Sequence, residues 1–129
     1  MFLSYFKPLE IYTDGSHKGK WGSWAFVVVK YNKIIYEASG RVRGADSNSM
    51  EFQAAIEALT YLKPKTKACI YSDSRILINC LSSKDERALE LINLAPEKYI
   101  SWKWVKAHNG NIYNERCDEL CIKARTEQL

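Results

Sequence analysis

Strand-type and helix-type segments are unevenly distributed along this chain, and their order restricts the possible folds more than any other feature of it. Leu9 to Thr13 predicts a first strand, ended by Asp14, with Gly15-Ser16 turning the chain. Gly22 to Lys30, rich in Trp, Phe and Val, predicts a second. Tyr31-Asn32-Lys33 makes a turn and Ile34 to Ser39 a third strand, so the second and third form a hairpin. Gly40 to Ser47 is a polar loop. Phe52, Ala55, Ile56, Leu59 and Leu62 then recur at helical spacing before Pro64. Ala68 to Ser72 is a short buried strand. Ile76, Leu77, Cys80 and Leu81 mark a second helix, and Ala88, Leu91, Ile92 and Ala95 a third, stopped by Pro96. Ile100 to Val105 forms a last strand, with Trp102 and Trp104 on one face, and Cys117, Leu120, Cys121 and Ala124 lie on a final helix. Three consecutive strands followed by strand–helix alternation predict an α/β fold. Its mixed five-stranded sheet begins as an antiparallel meander and is covered by helices on both faces.

The chain has 129 residues, enough for a single domain over 1–129 with a real core. With 47% apolar and aromatic residues and 26% charged, it is an ordinary globular protein rather than a disordered one. The formal charge of +4 is a mild excess that permits a polyanionic partner without demanding one. Cys69, Cys80, Cys117 and Cys121 are expected to be buried free thiols, because periodic helices and an apolar core make a disulfide framework unnecessary. The apolar stretch in Met1 to Pro8 is too short and too interrupted for a signal peptide, and no run approaches a membrane span. The expected location is the cytoplasm.

Four carboxylates, Asp14, Glu51, Asp73 and Asp118, stand at junctions where predicted elements begin or end. If the strands that end at Asp14 and Asp73 are adjacent and parallel, both acids emerge at one edge, where open α/β sheets bind ligands. Two acids so placed repel each other unless a cation lies between them. The alternative is that each is a turn or cap residue. Glu51 stands three residues after Asn48, the spacing of a capping box, and also borders the core-facing stripe next to Phe52. Asp118 lies between core-facing Cys117 and Leu120, so it is either a site residue or an ordinary exposed helix acid. Gathered together, the four form an all-oxygen cage that suits magnesium or manganese rather than zinc. His108, in a loop with Asn109 and Gly110, can shuttle a proton near neutral pH or simply be a solvated loop residue.

Four stretches, in this order, resemble ribonuclease H of type 1: Thr13-Asp14-Gly15-Ser16, Met50-Glu51, Ser72-Asp73-Ser74, and Trp102 to His108 followed by Asn114-Glu115-Arg116-Cys117-Asp118-Glu119-Leu120. The resemblance runs from about Leu9 to Ala124. It implies a ribonuclease H-like sheet in strand order 3-2-1-4-5. The implied activity is endonucleolytic hydrolysis of the RNA strand of an RNA–DNA hybrid, leaving 5′-phosphate and 3′-hydroxyl ends. It further implies two magnesium ions, with manganese as a substitute. Asp14 would bridge them, Asp73 would hold the ion that activates water, and Asp118 and Glu51 would hold the ion on the leaving-group side. Glu51 would also approach a ribose 2′-hydroxyl, and His108 would assist proton transfer or product release. Substrate contacts are expected from Gly15, Ser16, Lys18, Lys20, Ser47, Asn48 and Arg75. No protein partner and a monomeric state are expected.

The chain also departs from that family. Asp46 stands where a small hydroxyl residue is common, and an acid there would repel a DNA phosphate. Ser47 and Arg75 replace residue types common in the family. Gly19-Lys20-Trp21-Gly22 replaces a longer loop, leaving Trp21 to stack or, as we favour, to pack. The segment from Leu81 to Ala88 is too short for the basic protrusion of many bacterial members and contains Asp85 and Glu86. Weak substrate affinity and steep salt dependence are therefore expected. Two other functions compete: a DNA nuclease of the same superfold, and a non-catalytic nucleic-acid-binding domain.

Overall fold

The first three strands are longer than their apolar runs imply. In the computed structural model, which describes residues 7–96, 99–107 and 109–126, β1 covers Leu9–Lys18, β2 Trp21–Lys30 and β3 Lys33–Arg43. Asp14 therefore does not end β1, and residues 40–43 are strand rather than loop. The reason is pairing: Gly15 to Lys18 lie opposite Trp24 to Trp21, and Gly40 to Arg43 opposite Trp24 to Trp21 on the other side. Backbone hydrogen bonds along both sides of β2 carry polar residues into the sheet that their side chains alone would not place there. The β2–β3 turn places Tyr31 and Asn32 at positive φ (51° and 62°), the backbone of a tight hairpin turn between Lys30 and Lys33.

Two parallel strands complete the sheet. β4 is Ala68–Ser72 and β5 is Ile100–Trp104, giving the order β3-β2-β1-β4-β5. Among the described residues, four helices pack on it: α1 Ser47–Tyr61, α2 Arg75–Ser83, α3 Leu89–Leu94 after a 3-10 turn at Glu86–Ala88, and α4 Ile112–Thr126. The strict alternation of β2 separates the two layers. Phe26 and Val28 join Ile11 and Ile70 against Ala55, Ala58, Leu77 and Leu91 of the first three helices. Ala25, Val27 and Val29 join Tyr12 against Cys117, Leu120 and Cys121 of α4. Both faces of the central strands are covered, which explains the unbroken apolar run in β2.

The four cysteines are buried free thiols. Cys117 donates its thiol to the Tyr12 carbonyl at 3.1 Å, tying α4 to β1. A paired contact, Arg116 Nε to Glu37 at 2.7 Å and Arg116 Nη2 to Glu37 at 3.0 Å, ties α4 to β3. Among the described residues, no helix is long and apolar enough to cross a membrane.

Candidate active site

Parallel pairing of β1 with β4 creates the site. The last register pair is Thr13 with Ser72, so Asp14 and Asp73 follow side by side. Asp14 stays in the ladder opposite Ala25, while Asp73 lies in the turn that leads to α2. That turn is built by serines. Ser72 Oγ accepts the Ser74 amide at 3.1 Å, and Ser74 Oγ accepts the Leu77 amide at 3.1 Å as the N-cap of α2.

The third acid arrives because Gly15 has no side chain. A β-carbon there would run into the Met50 carbonyl carbon and the Glu51 amide nitrogen. The first turn of α1 thus rests directly on β1, and Glu51 enters the sheet edge at only 9% exposure. The cap of α1 differs from the sequence expectation. The N-cap is Asp46, whose Oδ1 accepts the Ser49 amide at 2.7 Å, and Asn48 is already inside the helix. A short acceptor immediately before the helix satisfies an orphan amide at the end, which Asn48 in the first turn does not do. Glu51 is thereby released from a capping duty. The Asp46 carboxylate is held below its usual range by that amide, so it is committed to the helix end.

One carboxylate oxygen from each of Asp14, Glu51 and Asp73 lies within 4.8 Å of the other two. Burial, and then the neighbouring charges of Asp73 and Asp118, push Asp14 up to about 8. Burial, and then Asp14 and Asp73, push Glu51 up to about 10. Glu51 Oε1 is buried with no hydrogen-bond partner among the described residues. A buried acceptor left unpaired costs free energy unless something meets it. A hard divalent cation does so, and it also removes the mutual repulsion of the three acids. The donor set is entirely oxygen, as magnesium and manganese prefer. The residues therefore fit such an ion.

Other predicted residues fall into three groups. Asp118, half-buried on α4, lies outside the 4.8 Å cluster, yet its charge acts on Asp14. Gly15 donates its amide to Asp14 Oδ1 at 3.0 Å, and Ser16 accepts from Arg125 Nε at 3.1 Å. Ser47 and Asn48 are exposed in the first turn of α1, and Lys18 and Lys20 are exposed flanking the β1–β2 turn. Arg75 lies over the Trp104 ring, 3.9 Å from its centroid, while Trp104 Nε1 donates to the Asp73 carbonyl at 3.1 Å. His108 is outside the described residues. Sequence reasoning gave Asn114 no role of its own. It is buried at 4% exposure and donates Nδ2 to Asp73 Oδ2 at 3.3 Å. An amide between an acid-bearing turn and a helix carries no periodic signal, so only its place in the Asn114-to-Leu120 stretch pointed toward it.

A sequence model of the RNase H family matches residues 7–126. The ribonuclease H of Campylobacter jejuni strain 81-176 is 33% identical over 134 residues, covering 92% of this chain and 91% of that protein. The ribonuclease H of Francisella philomiragia is 34% identical over 137 residues, covering 90% of each. Among solved structures, RNase H1 from the halophilic archaeon Halobacterium salinarum superposes with a TM-score of 0.73 at 22% identity, covering 92% of this chain and 98% of that one. LC11-RNase H1, solved in complex with an RNA/DNA hybrid, superposes with a TM-score of 0.70 at 16% identity, covering 92% and 99%. At those identities the two structures speak for the fold.

Proposed function

Since this chain belongs to the ribonuclease H family of hydrolytic nucleases, we propose that it cuts the RNA strand of RNA–DNA hybrids endonucleolytically with two divalent cations. The observation that carries this reading is the three-carboxylate cluster with its buried, unpartnered Glu51 oxygen. Asp14, Glu51, Asp73 and Asp118 would hold magnesium, with manganese as a substitute. When bound, the metal supplies a water nucleophile near neutral pH and neutralises charge on the departing oxygen, leaving 5′-phosphate and 3′-hydroxyl ends.

The remaining work belongs to the chain itself. Asn114 orients Asp73 by its 3.3 Å contact, and the Gly15 amide orients Asp14. Glu51 would approach a ribose 2′-hydroxyl, a donor as well as an acceptor, and so help identify the RNA strand. Gly15, Ser16, Ser47 and Asn48 surround that edge as candidate backbone and sugar contacts. Arg75, held 3.9 Å over the Trp104 ring centroid, presents a guanidinium at the start of α2, two residues after Asp73. His108 follows β5 and serves in proton transfer. We read the protein as a cytoplasmic monomer of one domain.

End-labelled RNA–DNA hybrid incubated with magnesium, beside single-stranded RNA, duplex RNA and duplex DNA, tests this. The expected result is cleavage of the hybrid's RNA alone, abolished by Asp14→Asn in a protein that still folds. Cleavage of duplex DNA would favour a DNA nuclease of the same superfold. Folded protein inert in both magnesium and manganese would leave a binding domain.

A further inference from the structure

Beyond the acidic cluster, the described surface carries a second concentrated charge, of opposite sign. Residues 16–24 and 40–45, which form the far end of the β1–β2–β3 meander, contain Lys18, Lys20, Arg41 and Arg43 and no acid. The other lysines and arginines equal the aspartates and glutamates in number, fifteen of each, so the formal excess of the chain matches this one region.

Sheet register arranges these cations. Lys18 pairs with Trp21, and Trp21 pairs with Arg43, which puts the three side by side across adjacent strands. Paired residues point to the same face, here the α4 face shared by Ala25, Val27 and Val29 of β2. The Arg41 guanidinium lies 4.1 Å from the Trp21 ring centroid and that of Arg43 5.8 Å. The hairpin tip is fastened to the end of β3 by the Gly44 amide, which donates to the Lys20 carbonyl at 2.8 Å. Trp21, half-buried, is therefore neither free to stack nor simply part of the core. It is a plate that orients two guanidiniums. A guanidinium held against a ring has less rotamer entropy to lose when it meets a phosphate.

We propose that Lys18, Trp21 and Arg43, braced by Arg41, form a phosphate-binding platform for the hybrid backbone remote from the acidic cluster. The proposal rests on the hybrid-cleaving reading above. Asp14 and Lys18 share one face of β1, and four residues of strand span roughly 13 Å. The platform therefore grips a backbone phosphate a few nucleotides from the cut. It supplies from the meander cations with no acid among them, whereas in Leu81–Ala88 Lys84 and Arg87 are offset by Asp85 and Glu86.

The test compares the parent protein with Arg43→Ala, a Lys18→Ala/Lys20→Ala pair, Trp21→Leu and Trp21→Phe. Lys33→Ala, at the other end of β3, is the charge control. On a long hybrid, Arg43→Ala and the lysine pair should raise KM about tenfold, the size of one charged hydrogen bond, while kcat holds. The slope of log Kd against log salt, read by fluorescence anisotropy with Asp14→Asn in each background, should fall by about 1 per cation removed. Trp21→Phe should retain most of the parent affinity and Trp21→Leu should not. On a hybrid whose duplex ends before it reaches the platform, the differences should vanish. Unchanged KM and salt slope in Arg43→Ala overturns the platform, as does an equal loss on long and truncated hybrids or in Lys33→Ala. A parent protein that binds hybrid without cutting it overturns the nuclease reading alone, and anisotropy still decides the platform. A parent that does not bind hybrid overturns both. Melting curves for each variant exclude loss of fold.

Discussion

A β-carbon at Gly15 would overlap the backbone of Met50 and Glu51, where neither partner can move without displacing α1. Gly15→Ala is expected to cost about 1–3 kcal/mol, the range for overpacking a rigid contact. It should also lower turnover by shifting Glu51. Denaturant melts and hybrid cleavage measure the two, and unchanged values in both would mean that α1 does not rest on β1 as described. Asn114 tests positioning instead. It touches Asp73 and, on this reading, no substrate. Asn114→Ala should reduce turnover or metal affinity 10- to 100-fold, roughly the effect of losing an outer partner of a ligand. The affinity for hybrid in the absence of metal should hold. A fall in that affinity with normal turnover would contradict the assignment.

At the scale of elements, α4 is the one helix among the described residues that covers its face of the sheet, so its attachment matters out of proportion to its length. Its buried side is narrow: Asn114, Cys117, Leu120 and Cys121. Polar contacts from Tyr113 to the Asn32 carbonyl and from Arg125 to Ser16 add to it, and the two-pronged Arg116–Glu37 contact ties it to β3, with side-chain exposures of 37% and 27%. Paired geometry favours the Arg116–Glu37 contact, while partial exposure and side-chain entropy limit it. A double-mutant cycle with Arg116→Ala and Glu37→Ala should give a coupling of about 0.5–1 kcal/mol in the stabilising direction, shrinking in high salt. A coupling indistinguishable from zero at low salt would show that the buried side and the other hydrogen bonds of α4 hold the helix without this pair.

For the molecule as a whole, the acidic cluster opposes folding when no cation is present. Asp14 is raised from 3.8 to about 8, chiefly by burial. Between those values the folded chain keeps a proton that the unfolded chain has lost. Its contribution to stability is therefore complete below the ordinary carboxyl range and is lost as pH rises through about 8. Glu51, raised from 4.5 to about 10, extends the same loss to higher pH. In chelator, the Tm should fall from pH 6 to 9 more steeply for the parent than for Asp14→Asn. Magnesium should restore it, and the restoration should grow with pH because binding must displace the retained protons. A magnesium effect on Tm that is absent, or largest at low pH, would contradict a metal centre built on these acids.

The order of elements was legible in the sequence because alternating and helical apolar spacing are local properties. β2, the two core layers and the stripe of α4 needed nothing more. Asp14, Glu51 and Asp73 stood out as acids beside buried segments, and a known pattern of motifs linked them. Other features depended on partners far along the chain. The extra length of β1 and β3 comes from hydrogen bonds to β2, which their polar residues do not advertise. The choice of Asp46 over Asn48 as helix cap depends on where backbone dihedrals turn helical, a matter of one or two residues that spacing does not resolve. The meeting of Asp14 with Asp73 required a parallel register between strands more than fifty residues apart, and the arrival of Glu51 required the empty space at Gly15. Sequence alone thus determined which groups the protein has and which elements carry them. Only the tertiary structure decided which groups meet, because distance, burial and the charge repulsion that calls for a cation belong to packing rather than to the order of residues.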